Sequence, residues 1–286
     1  MITVSMLSTY LYCSRKLYLQ NVLKLRETER EDSTIGAIRH TTYDVINKNE
    51  QEVVTNIQRK VPKEELHELY KEYYSEHLRN AIRVNKERLK VLGINSGEVF
   101  KRLWPLVLEE SITRANNIYE FIETHLVFGE KLWELLTPKI VSEFKIISSK
   151  LDLIGTIDQV EHWQTGLVPV EIKTGNAPMD GIWPGHKIQL LAYAILLEDY
   201  YKKPVKEGFV IYLGSKEKRH LAINPFMKYE LNGVIGEVRA ILKSKELPDF
   251  TASKKKCEKC GLRDKCYNKE FMDNAMNNLI QLSQTI

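Results

Sequence analysis

Apolar and polar residues follow two different periods along this chain, and the change of period divides it. From Ser5 to about residue 23, Met6, Leu7, Tyr10, Leu11, Leu17, Tyr18 and Val22 recur at roughly helical spacing, with Ser5 placed to cap the first turn and Cys13 inside the helix. The charged turn LRETERED follows at 25–32, and a second helix is expected to begin near Ser33–Thr34 and pass through His40, Tyr43, Val45 and Ile46. Residues 62–136 read as almost wholly helical: Pro62 suits a first turn, and apolar residues then recur every three or four positions. Gly93–Gly97 interrupts this stretch, and Pro105 and Gly129 are expected to kink or split the long helix or helix pair over about 97–136.

Beyond residue 138 the period shortens to that of strands. These are expected at Ile140–Ser148, Leu151–Glu161 and Leu167–Thr174, followed by an exposed Gly- and Pro-rich loop, a helix over His186–Tyr201, two strands at Glu207–Leu213 and Lys218–Ile223, and a helix at about Lys228–Lys245. A basic segment with three cysteines follows, and the tail Asn268–Ile286 could form one amphipathic helix. Helix, strands, helix, strands fits an α/β layer with an all-helical insertion. The expected organisation is N-terminal helices over 1–50, a helical insertion over 51–137, a core over 138–246 and a C-terminal segment over 247–286.

The chemistry concentrates in Gly155–Gly175. A hairpin whose turn centres on Gln164–Thr165 sets Asp158 opposite Glu171, and cross-strand neighbours lie roughly 4.5–5.5 Å apart at Cβ, close enough to share one hard cation. Lys173 falls on the face of Glu171 because strand side chains repeat every two residues. Two carboxylates and an ammonium on one face are costly to bury without a metal or substrate to compensate them. Asp158 and Glu171 could hold Mg²⁺ or Mn²⁺ with the Ile172 main-chain carbonyl as a further oxygen ligand, and Lys173 could orient or help deprotonate the attacking water. The plain alternative is an exposed hairpin with solvated charges; the spacing of Asp158, Gly155 and the loop from Thr174 favour a site.

Composition narrows this little. The 286 residues are 43% hydrophobic and 28% charged with a net charge of +4, ordinary for a soluble globular protein and too mild to argue nucleic-acid binding except through local patches. No apolar run reaches the roughly 18 residues of a membrane span, and no charged-then-apolar start resembles a signal peptide. The expectation is an intracellular, cytoplasmic protein, where four cysteines more often bind metal or stay thiols than form disulfides.

Further candidates surround the hairpin. Gln189 and Tyr193 stand one helical turn apart and could lay both polar tips over a bound phosphate backbone, or else Tyr193 packs with Leu190, Leu197 and Ile195 while Gln189 is solvated. His40, a lone helical histidine, reads as structural by itself, though a neutral imidazole can ligate a divalent ion. Cys257, Cys260 and Cys266 form a C-x₂-C-x₅-C pattern with metal-ligand spacing, and Cys13 is the remaining cysteine. A four-thiolate site would tie the first helix to the C-terminal segment; zinc and an iron–sulfur cluster both accept four thiolates, and spacing does not choose. Lys254, Lys255, Lys256, Lys259, Arg263 and Lys265 could neutralise DNA phosphates, offset thiolate charge, or form a solvated face. Glu143, on the strand before the hairpin, could be another acidic contributor, though an exposed strand residue needs no function.

Taken together, Gly155–Asp158 (G-x-x-D), Glu171–Lys173 (E-I-K), Gln189–Tyr193 (Q-x-x-x-Y) and the upstream His40 resemble the RecB-type branch of the PD-(D/E)XK nucleases. The opening SMLSTYLYCSRKLYLQ, with Cys13, and the later cysteine triplet are similar to the CRISPR-associated RecB-type exonucleases that bear a four-iron, four-sulfur cluster. The resemblance covers roughly 1–50 and 138–268; the helical block and the tail are extra. It implies a restriction-endonuclease-like core with a mixed central sheet and a metal-dependent DNA nuclease acting on single-stranded ends or overhangs. His40, Asp158 and Glu171 are then metal ligands, Lys173 the catalytic lysine, Gln189 and Tyr193 substrate-side residues, and Cys13, Cys257, Cys260 and Cys266 the cluster ligands. It further implies trimming of new spacer DNA alongside CRISPR integrase proteins. A stand-alone RecB-like repair nuclease and a DNA-end or integrase-binding module with little cleavage remain the alternatives. The chain has no G-x-x-x-x-G-K-[ST] loop, so any motor is another protein.

Overall fold

The computed structural model describes residues 1–28 and 31–284, so Glu29 and Arg30 of the charged turn and the last two residues of the tail lie outside it. The chain opens with a two-residue strand, β1 (Ile2–Thr3). α1 (Val4–Tyr12) follows, capped by Thr3, whose hydroxyl accepts from the Met6 N–H; Ser5, the expected cap, lies inside the helix. The single helix expected to reach residue 23 breaks at Cys13, where an extended backbone (φ −168°, ψ 115°) ends α1 and starts α2 (Ser14–Asn21). Cys13 is thus a cap and not a helical residue: its Sγ accepts from the Lys16 N–H at 3.4 Å. The apolar period runs on across the break because Leu7 and Leu17 enter the same core.

α3 (Glu31–Thr55), α4 (Lys63–Val84), α5 (Lys86–Val91), α6 (Ser96–His125) and α7 (Gly129–Leu135) make the helical lobe. Pro105 does not split α6. It and Lys101, whose carbonyl loses its usual partner, are both exposed, so solvent can replace the missing bond. Ile35, Ile38, Ile46 and Val54 of α3 pack with Leu66, Tyr70 and Leu78 of α4, Leu103 and Ile118 of α6 and Leu132 of α7. The division expected at residue 50 therefore falls inside a helix that runs unbroken into the lobe core. A buried ion pair, Arg114 with both oxygens of Glu50, ties α6 to α3.

The second layer is a mixed sheet of β1, β2 (Lys139–Ser148), β3 (Leu153–Trp163), β4 (Gly166–Lys173), β5 (Glu207–Tyr212) and β6 (Glu217–Ala222). β2 runs antiparallel along one edge of β3. The other edge holds β1, parallel, at Leu153–Ile154, and β4, antiparallel, over Gln159–Trp163. The sheet is therefore parted beside residues 155–158. β4 continues parallel to β5, and β5 antiparallel to β6. α8 (Pro184–Tyr201) and α9 (Pro225–Lys243) join α1 against this sheet, around Leu153, Ile157, Leu191, Leu196, Val210 and Val238. α10 (Lys254–Glu258), α11 (Arg263–Tyr267) and α12 (Lys269–Gln284) close the chain, and Leu262 and Met272 pack there on Leu19 of α2.

Candidate active site

The hairpin forms in the expected register: its turn is Gln164–Thr165, and Gln159 pairs with Val170, Val160 with Pro169 and His162 with Leu167. One step further, Asp158 stands opposite Glu171. There the backbone ladder stops, and the Asp158 Oδ2 takes the Ile172 N–H at 2.6 Å in place of a strand carbonyl. In an extended strand the N–H and C=O of one residue face the same edge, so the Ile172 carbonyl also faces this gap. Gly155 lets the layers close behind it: a Cβ there would meet Leu196 and Val4 at 2.9 Å and Tyr193 at 3.0 Å.

β2 is interrupted at the same level. Ser142 pairs with Gln159 and Phe144 with Ile157, so pairing skips only Glu143 and Asp158. Glu143 has a left-handed backbone, φ +50°, a conformation that costs a non-glycine residue about 1–2 kcal/mol. Ile157 and Val160, three positions apart, both enter the sheet core, so β3 changes face at this level.

α3 delivers His40 to this gap. Its Nδ1 lies 2.7 Å from Glu143 Oε1 and 3.6 Å from Asp158 Oδ1. One ligand atom from each of these three residues falls within 4.8 Å of the others. Glu171 is 2% exposed, ion-paired to Lys173, and its Oε2 has no hydrogen-bond partner among the described residues. Burial first, then the Asp158 charge, pushes the Glu171 carboxyl up to about 7, against the pull of Lys173. Burial likewise raises Asp158, against His40. The Glu143 hydrogen bond raises His40. The site is short of positive charge, and its oxygen and imidazole donors are those that Mg²⁺ or Mn²⁺ accepts.

Gln189 and Tyr193 are not surface tips. At 7% and 5% exposure they lie under β3 and β4. They hydrogen-bond to each other, and burial with the charges of Glu171 and Asp158 raises the Tyr193 phenol. Neither a solvated Gln189 nor a pair laid over the surface describes them; they back the acids. Two further residues stand close that sequence reasoning passed over. His186, three positions before Gln189 and so on the same helical face, is held to about 4 by burial and the Lys173 charge, with Nδ1 3.0 Å from the Tyr212 hydroxyl. That spacing could have found it. Arg39 is 2% exposed with Nε and Nη1 unpartnered among the described residues, its charge disfavoured by burial and supported by Tyr43, Asp158, Glu110 and Glu171. No periodicity marks it.

Cys13, Cys257, Cys260 and Cys266 line one pocket with Tyr12, Arg15, Phe250 and Tyr267. Arg15, 8% exposed, donates from Nε to Cys266 Sγ at 3.2 Å and from Nη1 to the Pro248 carbonyl at 2.8 Å, with its guanidinium 4.0 Å from the Phe250 ring centre. The Tyr12 hydroxyl donates to the Lys256 carbonyl, Lys256 Nζ to the Leu11 carbonyl, and Lys265 Nζ to the Arg26 carbonyl. Part of the basic run therefore braces the two chain ends against each other.

A parted sheet carrying an acid on one arm and E-x-K on the other, backed by a helix, defines the class of metal-dependent phosphodiester-cleaving folds. The chain belongs to the PD-(D/E)XK nuclease superfamily, whose family model matches residues 1–267. It is 32% identical over 121 residues to a CRISPR-associated exonuclease Cas4 of Francisella tularensis subsp. novicida, covering 42% of this chain and 59% of that protein. It is 25% identical over 188 residues to a CRISPR-associated exonuclease Cas4/endonuclease Cas1 fusion of Leptospira interrogans, covering 63% and 34%. A second such fusion, from Myxococcus xanthus, is 27% identical over 132 residues, covering 45% and 23%. The matches thus span less than two thirds of each of these relatives. No helix among the described residues is long and apolar enough to cross a membrane.

Proposed function

We propose that this chain is a divalent-metal-dependent DNA exonuclease that trims single-stranded ends or overhangs during CRISPR spacer acquisition. The observation that carries the reading is Glu171: a buried carboxylate with an unpartnered oxygen, beside a second carboxylate and a lysine, in a gap that parts the sheet. His40, Asp158, Glu171 and the Ile172 carbonyl would hold Mg²⁺ or Mn²⁺, which when bound offsets phosphoryl charge and makes water a better nucleophile. Lys173, ion-paired to the buried Glu171 with its own side chain 24% exposed, would use its ammonium to orient water and phosphate. His186 is neutral at pH 7 and adds no charge beside Lys173. Gln189 and Tyr193 lie buried within the field of the two acids and hydrogen-bond to each other.

The relatives' names support a CRISPR-associated exonuclease activity, and the two fusions with endonuclease Cas1 support a protein of that kind as partner. The four cysteines would hold an iron–sulfur cluster. All four line one pocket, which supports a single thiolate-bound group joining the two ends of the fold. Anaerobically purified protein should be brown and contain iron and labile sulfide; a colourless zinc protein refutes the cluster.

The deciding experiment is cleavage of end-labelled single- and double-stranded DNA with Mg²⁺ or Mn²⁺. Wild type should shorten single-stranded ends, and Lys173→Ala should lose activity by about 10²-fold or more. Undiminished activity in that variant rejects the site.

A further inference from the structure

We propose that Trp183 is a stacking platform for an unpaired base beside the active site, and so helps select single-stranded DNA ends. This rests on the nuclease reading above and deepens it. Trp183 closes the segment 174–183, which leads from Lys173 at the end of β4 to Pro184 at the start of α8. It is 48% exposed, whereas an indole is ordinarily well buried.

The exposed ring is held in place. Its indole N–H donates to the Asn176 carbonyl at 3.0 Å, and the Trp183 main-chain N–H donates to the Tyr212 hydroxyl at 3.2 Å. The rest of the segment is tied to β6 and the turn before it. The Gly214 N–H donates to the Gly175 carbonyl at 3.1 Å, the Ala177 N–H to Ser215 Oγ at 3.0 Å and Arg219 Nη2 to the Pro178 carbonyl at 3.3 Å. A ring already fixed in water loses little freedom when a base settles on it, which favours binding.

The ring also stands near the reacting groups. Tyr212, which holds Trp183, is the β5 partner of Lys173. The same hydroxyl lies 3.0 Å from Nδ1 of His186, three positions before Gln189 on α8.

The segment suits a base better than a phosphate. Its one charge is Asp180, and beside it Met179 is fully exposed. Without a cation, it offers the face of a ring, on which any base can stack. In a duplex those base faces are already covered and freeing one costs energy, so the platform favours unpaired ends. A protein partner is the rival occupant of an exposed indole.

The test is anisotropy binding of end-labelled single- and double-stranded DNA with Mg²⁺, using the full chain carrying Lys173→Ala to suppress cutting. Adding Trp183→Ala should weaken single-stranded binding by about 10-fold and leave duplex binding nearly unchanged. The factor should be the same at low and high salt, because a lost stack changes no counterion release. Trp183→Phe keeps a ring but loses the indole bond to Asn176, so it should retain most of the affinity. An abasic position walked in from the DNA end should reproduce the loss at one place, where Trp183→Ala then costs nothing more.

Unchanged single-stranded binding in Trp183→Ala overturns the proposal and leaves the indole to a protein partner. Equal losses on single and double strands also overturn it, as does a factor that shrinks with salt. Trp183→Phe as weak as Trp183→Ala overturns it too, since the indole would then serve only to pin the segment. A Lys173→Ala chain that still cuts DNA, or that binds none, instead rejects the underlying nuclease reading.

Discussion

Glu171 shows at the scale of one residue how function opposes stability. Its carboxyl is raised from 4.5 to about 7, chiefly by burial. Between those values the folded chain holds a proton that the unfolded chain has lost, so stability falls as pH rises through this window. The stabilisation is whole below about 4.5, and its loss is complete above about 7, amounting to up to about 3 kcal/mol. In metal-free protein, Glu171→Gln should therefore be more stable than wild type at pH 8, with the difference closing towards pH 4.5. Urea titrations at the two pH values check this; a variant less stable at pH 8 contradicts the charge deficit. Gly155 carries a second prediction. Its Cβ would fall 2.9 Å from both Leu196 and Val4, so Gly155→Ala should destabilise by about 1–3 kcal/mol, read as a lower urea midpoint.

Among the elements, the hairpin was the most legible. A two-residue turn and period-two alternation leave one register in which the apolar side chains are buried, and that register puts Asp158 opposite Glu171. The first helix was less so: periodicity reports which face is buried, and α1 and α2 bury Leu7 and Leu17 in one core across the break at Cys13. Only the extended backbone at Cys13 turns its thiol into the pocket shared with Cys257, Cys260 and Cys266. Arg15, one position into α2, then reaches Cys266 and Pro248. Arg15→Met should thus release whatever the cysteines hold several-fold faster to a chelator, measured as loss of metal with time; an unchanged rate makes the contact incidental.

On the scale of the molecule, α3 decides how the two layers behave. It contributes Ile35, Ile38, Ile46 and Val54 to the helical core and presents His40 and Asn47 to β2 through Glu143 and Ser142. A lobe that shares a helix with the site should not unfold alone. Trp104 and Trp133 border the helical core, while Trp163 and Trp183 belong to the sheet layer. Variants retaining one tryptophan pair each should report coincident urea transitions, as two-state unfolding requires; separate midpoints would show the lobe to be independent. By itself the sequence determined what local rules settle: the periods of helix and strand, the hairpin register, the acids and lysine on its arms, and the cysteine spacing. Tertiary structure decided what distant segments share. Which nitrogen of His40 meets Glu143, why Glu143 is left-handed, that Gln189 and Tyr193 lie behind the acids, and that Arg39 is buried beside them all depend on packing between segments that no local pattern relates. The physical reason is that periodicity encodes which side is apolar, whereas the meeting of charges is fixed by how buried faces close on one another.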